Sequence, residues 1–189
     1  MTPCDSWQVI CRGVRDELRQ EHRYAHSVRV ARTADRLAQA HGLDPRQARS
    51  AGILHDLARL WPVERLLDEC RARGLPLDRF EREHPIVLHA RIGALLARER
   101  FGVTDRAVLS AIAKHTVADP VMTPLDAIIF IADATEPGRQ FAARAEILDL
   151  ALRDLEAGLR AVYVCTREAL EKCGLPPSPA LLTIPRLTR

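Results

Sequence analysis

An all-α fold is the architecture this chain predicts, on three grounds. Alanine, leucine and arginine dominate while strand-favouring residues are sparse, which favours helices. Apolar residues recur at helical spacing through successive segments. Capping residues and Gly or Pro breaks punctuate those segments. At 189 residues there is enough chain for one well-buried core and too little for two typical domains joined by a linker. The expectation is a single domain over residues 1–175 followed by a proline-rich tail over 176–189.

The elements follow in order. A first amphipathic helix is expected from about Asp5 to Gln20, with Trp7, Ile10, Val14 and Leu18 as its apolar stripe, and a second from about Tyr24 to Ala40, closed by His41-Gly42. Asp44-Pro45 opens a third: Asp as N-cap, Pro at the first helical position, and Gln47 three residues after the cap. That helix is expected to carry Ala48, Ala51, Leu54 and then His55-Asp56. Pro62 starts another, stopped by Arg73-Gly74-Leu75-Pro76, and a charged loop leads to His84-Pro85 and a helix ending at Phe101-Gly102. Thr104 or Asp105 caps the next, which ends near His115. Thr123-Pro124-Leu125-Asp126 is a capping-box pattern opening an apolar helix that reaches Asp133 and stops at Pro137-Gly138. One long helix is expected from about Ala143 to Lys172, before Gly174 and Pro176-Pro177-Ser178-Pro179 break it; the remaining tail reads either as a flexible end or as a strap.

Bulk properties narrow the function. The formal net charge is +3, and 26 of the 28 basic residues are arginines scattered along the chain, without the basic, aromatic-interleaved stripe of a nucleic-acid surface. No nucleic-acid partner is expected. The five cysteines lack C-x-x-C spacing; within helices, Cys4 and Cys11, like Cys165 and Cys173, stand roughly 10 to 12 Å apart, beyond disulfide reach. Reduced thiols and a cytoplasmic location are the expectation. Arg12, Arg15, Asp16 and Glu17 interrupt any leader-like apolar run, and no stretch has the apolar length of a membrane span. No feature calls for a homo-oligomer.

The chemistry lies in six polar residues on apolar helix faces. His26 shares a face with Val30, Ala34 and Leu37; His55 follows Ala48, Ala51 and Leu54; His89 lies with Ile92, Gly93 and Leu96; His115 with Val108, Ala111 and Ile112; Asp133 with Ile129 and Phe130. Asp56 adjoins His55. A buried polar side chain without a partner costs a few kcal/mol, so several such groups converging on one core call for a common partner. The pattern H…HD…H…H…D supplies terminal imidazoles and a carboxylate able to bridge two cations. Nitrogen and oxygen donors without cysteine suit iron, manganese, magnesium or zinc, and such a pair activates water against phosphate. His55 and Asp133 are expected on one ion and His89 and His115 on the other, with Asp56 reaching between them; His26 is the remaining expected ligand.

His22-Arg23-Tyr24-Ala25-His26, Ile53-Leu54-His55-Asp56-Leu57-Ala58, Lys114-His115-Thr116 and Ile131-Ala132-Asp133 followed by Glu136-Pro137-Gly138-Arg139 together resemble the HD-domain phosphohydrolases. Within them the chain looks like the bacterial YqeK-type symmetrical bis(5'-nucleosyl)-tetraphosphatases, from about Arg12 to Leu175. The resemblance implies a compact HD-domain helical bundle, a di-iron centre, with manganese or magnesium as alternatives, and hydrolysis of diadenosine tetraphosphate to two ADP. Asp56 is then the central catalytic carboxylate and Arg139 the leading phosphate clamp. Arg23, Arg59, His22, His89 and His115 are the other expected substrate contacts. The chain departs from the family pattern at Arg59, where lysine is common, and at Val117-Ala118. Arg59 offers phosphate a planar fork instead of a point charge. Other HD-type hydrolases of monophosphates, cyclic nucleotides or guanosine alarmones share the same metal chemistry, and a non-catalytic nucleotide sensor is a further alternative.

Overall fold

Local capping turns each segment into a helix, and the apolar faces then decide how the helices stack. The computed structural model describes residues 3–188, with side chains from Trp7 onward. Among the described residues the order is α1 (Pro3–Leu18), α2 (Glu21–Ala40), α3 (Pro45–Leu54), α4 (Val63–Ala72), α5 (Arg79–Glu83), a 3-10 turn (Pro85–Val87), α6 (Leu88–Phe101) and α7 (Arg106–Lys114). Then come β1 (Val121–Met122), α8 (Pro124–Thr135), α9 (Arg144–Arg153), α10 (Leu155–Lys172), a 3-10 turn (Pro179–Leu182) and β2 (Arg186–Leu187). The all-α expectation holds, with one two-residue parallel pairing of β1 and β2 as the only sheet among these residues. No helix among them is long and apolar enough to cross a membrane.

α8 is the axis of the bundle. Every residue from Leu125 to Ala132 is buried, as is Thr135, so the helix is apolar around nearly its whole circumference and needs neighbours on all sides. α2, α3, α7, α9 and α10 supply them. Its start is fixed by the expected capping box: the Asp126 N–H donates to Thr123 Oγ1 at 3.1 Å, and the Thr123 N–H donates to Asp126 Oδ2 at 2.9 Å. Lys114 Nζ donates to the same Asp126 oxygen at 3.2 Å, which pins the end of α7 to the start of α8.

Four local expectations are corrected. α3 ends at Leu54, so His55-Asp56 stand on the turn that leaves the helix and not on its apolar face. Gln47 does not close a capping box on Asp44; its amide donates to Asp105 Oδ2 at 2.6 Å, linking α3 to the cap of α7, while Asp44 accepts from the Arg46 N–H. The charged loop before His84 contains a short helix, α5, because Asp78 and Glu81 make a full capping box. The expected long helix from Ala143 to Lys172 is two helices: Asp154 leaves the helical region at φ −144°, ψ 104° and its side chain accepts from the Ala157 N–H, capping α10. Gly158 permits the turn-back, since a Cβ there would collide with Ala151 on α9.

The tail is a strap. Ser178 Oγ donates to Val117 O at 2.9 Å, and the Arg186 N–H donates to Pro120 O at 3.0 Å, laying β2 beside β1. Cys11, Cys70, Cys165 and Cys173 are free thiols, and the Cys4 side chain lies outside the described residues.

The α2–α3 contact sets how closely two site-bearing segments approach. Ala31, Ala34 and Ala38 are all buried on α2, and Gly52 of α3 lies so near that a Cβ there would stand 2.7 Å from Ala31 Cα and 2.9 Å from Ala31 N. Main chain cannot swing aside as a side chain can. Gly52→Ala is therefore expected to destabilise the protein by about 1–3 kcal/mol, read as a lower urea midpoint with an unchanged slope; an unchanged midpoint would show that the helices have slack.

Candidate metal centre

Each candidate donor sits near a helix end. His26 is on the second turn of α2, His55 and Asp56 follow α3, His89 is on the first turn of α6, His115 caps α7, and Asp133 is close to the end of α8. The position has a physical use, because the last carbonyls of a helix have no intrahelical donor. His55 Nδ1 takes up Gly52 O at 2.7 Å and His115 Nδ1 takes up Ile112 O at 2.7 Å, each three residues back. His89 Nδ1 does the same with Ile86 O, from the 3-10 turn, at 2.6 Å. Spending the Nδ1 proton on a carbonyl fixes the tautomer and turns a bare Nε2 lone pair toward the site.

The fourth imidazole is held by a carboxylate. His26 Nδ1 meets Glu136 Oε1 at 3.1 Å, and Glu136 in turn takes Arg29 and the Gly138 N–H, the latter at 2.6 Å. Burial pushes the Glu136 carboxyl up, but these donors, Arg29 first, hold it below the ordinary range and so anionic. Sequence reading gave Glu136, Arg29 and Thr116 no role. Glu136 and Thr116 belong to the motifs that carry the family resemblance, and the spacing of Glu136 three residues after Asp133 puts both on one side of the α8 end.

Asp56 occupies the middle. Its Oδ2 lies 3.5 Å from His55 Nε2 and 3.8 Å from His26 Nε2; its Oδ1 lies 3.5 Å from His89 Nε2 and 3.7 Å from His115 Nε2. One carboxylate therefore presents a separate oxygen to each pair of imidazoles. Asp133 Oδ1 is 3.1 Å from His26 Nε2 and 4.0 Å from His55 Nε2. The structure brings all six predicted donors together, five of them buried and Asp133 partly exposed toward a cavity.

These contacts are poor as hydrogen bonds and sensible as a cation shell. With both Nδ1 protons given to carbonyls, His89 and His115 aim Nε2 lone pairs at one another across 3.2 Å. His26 Nε2 and His55 Nε2 are buried without a hydrogen-bond partner. Donors at the usual 2.0–2.2 Å from a shared ion stand about 3–3.5 Å apart, close to the spacings seen here. The nitrogen and oxygen donor set suits a divalent cation, and the triads His26-His55-Asp56 and Asp56-His89-His115 each gather donors within 4.8 Å. Burial and the facing His115 push the His89 imidazole down to about 3, which keeps its lone pair free. Burial alone would raise the Asp56 carboxyl, but His55 and His115 outweigh it and hold it well below the usual carboxylate range.

The centre opens into a cavity of about 340 Å³ lined by Asp56, His89, His115, Thr116 and Asp133, with three arginines on its wall. Arg139 donates Nη2 to Asp133 Oδ1 at 2.5 Å and Nε to Asp133 O at 2.9 Å. Arg23 Nη1 reaches Asp56 Oδ2 at 3.5 Å. Arg59 lines the same cavity. Thr116 Oγ1 lies 3.1 Å from His89 Nε2 and 3.0 Å from His115 Nε2. His22, expected as a substrate contact, is exposed one turn before His26 and is not among the lining residues.

Comparison with known proteins agrees with this geometry. A family model described as HD domain matches residues 23–138. The chain is 38% identical over 139 residues to a Bacillus subtilis protein named bis(5'-nucleosyl)-tetraphosphatase, symmetrical, covering 74% of each chain. A protein of the same name from Halalkalibacterium halodurans is 35% identical over 167 residues, 86% of each chain. A crystal structure described as a predicted HD superfamily hydrolase involved in NAD metabolism, from Clostridium acetobutylicum, superposes with a TM-score of 0.88 at 33% identity over 94% of each chain.

Two substitutions separate holding a cation from orienting its holder. Asp56→Ala removes the carboxylate that presents one oxygen to each imidazole pair and is expected to strip most bound metal from the purified protein by elemental analysis. Glu136→Gln keeps the shape but withdraws the charge behind His26, and should weaken metal affinity by about 10- to 100-fold in a competition titration. Full metal content in Asp56→Ala would detach the cluster from metal binding.

Proposed function

The chain belongs to the HD domain family, and from that premise we propose that it hydrolyses dinucleoside tetraphosphates symmetrically, diadenosine tetraphosphate giving two ADP. The observation that carries the reading is Asp56, whose two oxygens serve opposite imidazole pairs at the floor of an arginine-lined cavity. The symmetrical specificity is supported by the names of the Bacillus subtilis and Halalkalibacterium halodurans relatives.

In this reading His26, His55 and Asp133 would hold one cation and His89 and His115 a second, with Asp56 placed to serve both; iron is the metal the family likeness favours, with manganese or magnesium as alternatives. Bound there, such a pair acidifies water to near neutrality and neutralises phosphoryl charge. The remaining work belongs to the chain. Asp56 and Asp133 fix the floor on which the reacting phosphoryl group rests, with His89 and His115 exposed to it in the cavity wall. Arg139, Arg23 and Arg59 take up the non-bridging oxygens. Arg59 makes no ion pair or hydrogen bond among the described residues and is free for phosphate, whereas Arg23 and Arg139 exchange a carboxylate contact for a phosphate one. Guanidinium forks suit this exchange because they grip carboxylate and phosphate with the same bidentate geometry. A water oxygen joins one central phosphorus, the bridging oxygen leaves with the other half, and each half is ADP.

Chromatography of the products tests the proposal directly: hydrolysis of the tetraphosphate should give ADP alone, and AMP plus ATP would reject a symmetrical cut. Arg139→Ala should lower kcat/KM by about 10- to 100-fold, the worth of one hydrogen bond between charged groups, with metal content intact. A parental kcat/KM in that variant would take Arg139 off the substrate.

A further inference from the structure

Beside the metal cavity lies a second, larger hollow of about 650 Å³, between the segment that links α8 to α9 and one face of α10. The two share Ala134, Arg139 and Thr166 as a common wall. Their chemistry differs sharply. The metal side is ionic, while the second hollow is walled mainly by Val162, Cys165, Ala169 and Leu170 of α10 and faced by Phe141, with Glu168 and Lys172 also lining it. Val162, Cys165, Thr166 and Ala169 recur at helical spacing, so one stripe of α10 lines it. Phe141 is 40% exposed, and no ring contact holds it among the described residues. A ligand that fits both compartments has an anionic chain that passes Arg139 and a flat apolar group joined to it.

Resting on the hydrolase reading above, we infer that this cleft holds one nucleoside of the substrate, with Phe141 stacking on its base. The volume is that of an ordinary small-molecule pocket, and aromatic stacking is how proteins grip a base without reading its edge. Arg139 is then a hinge between the compartments, touching Asp133 on one side and bordering the cleft on the other. Thr166 stands on the same wall, where a ribose hydroxyl would pass. Phe141 acts on affinity for the nucleoside half and not on the bond that breaks.

The test uses the metal-loaded full chain as the parent protein, Phe141→Ala, and Ala169→Trp, which fills the cleft from an exposed position on α10. Calorimetry gives Kd for ADP and for inorganic pyrophosphate, and light scattering gives the mass. Both variants should weaken ADP by about 10-fold, the scale of one stacked base, while pyrophosphate affinity stays at the parental value. With diadenosine tetraphosphate, KM should rise by more than kcat changes. Unchanged ADP affinity in both variants, equal weakening of ADP and pyrophosphate, or a change in oligomeric mass alone would overturn the cleft assignment. If the parent fails to cut the tetraphosphate while ADP loses affinity selectively in the variants, the hydrolase reading falls and the nucleoside site stands. If the parent cuts it and ADP affinity never moves, the nucleoside site falls alone.

Discussion

The convergence of six metal-type donors on one largely buried spot is the constraint around which this protein is organised. Four imidazole nitrogens and two carboxylates point at one another inside a helical bundle, with His26 Nε2 and His55 Nε2 lacking any hydrogen-bond partner. Each buried unsatisfied polar atom costs about 1–3 kcal/mol, and the cost rises when neighbours carry like partial charge. A divalent cation bound there would give each of these donors a partner. The free energy of metal binding would then also be free energy of folding, since an unfolded chain has no such cluster to offer.

The backbone does much of the aiming. Three of the four imidazoles return their Nδ1 proton to a carbonyl three residues earlier, at a helix end for His55 and His115 and in the 3-10 turn for His89. A ligand in mid-helix would find that carbonyl engaged with the main chain. Placement at helix ends thus solves two problems at once: the orphan carbonyl gains a donor, and the ring gains a fixed tautomer. His26, on the second turn of α2, is held instead by Glu136 and the Arg29 behind it.

The rest of the bundle serves to keep those ends together. α8 packs on all sides and brings Asp133 and Glu136 to one place, the Lys114–Asp126 contact fixes the end of α7 against it, and Gly52 lets α3 lie close to α2. Arginines then line the open side, so the site is acidic at its floor and basic at its wall. That gradient suits a polyanion held at one end by cations and along its length by guanidinium groups.

What the sequence determined by itself was local. The caps at Asp44, Asp105 and Thr123-Asp126 are set within four residues, and helical spacing put His26, His89 and Asp133 on helix faces that meet, whereas His55-Asp56 and His115 reach the cluster from just past a helix end. Where a competing local signal was subtle, sequence patterning failed: a lone Asp154 backed by Gly158 divides an otherwise continuous amphipathic run, and no Pro or Gly marks the division itself. The tertiary structure decided everything that joins distant residues. His26 and Glu136 are 110 positions apart, Gln47 finds Asp105 across 58, and Ser178 of the tail finds Val117 across 61. Periodicity says that a side chain is buried, but the choice of partner depends on which helix ends the packed core brings within hydrogen-bond reach.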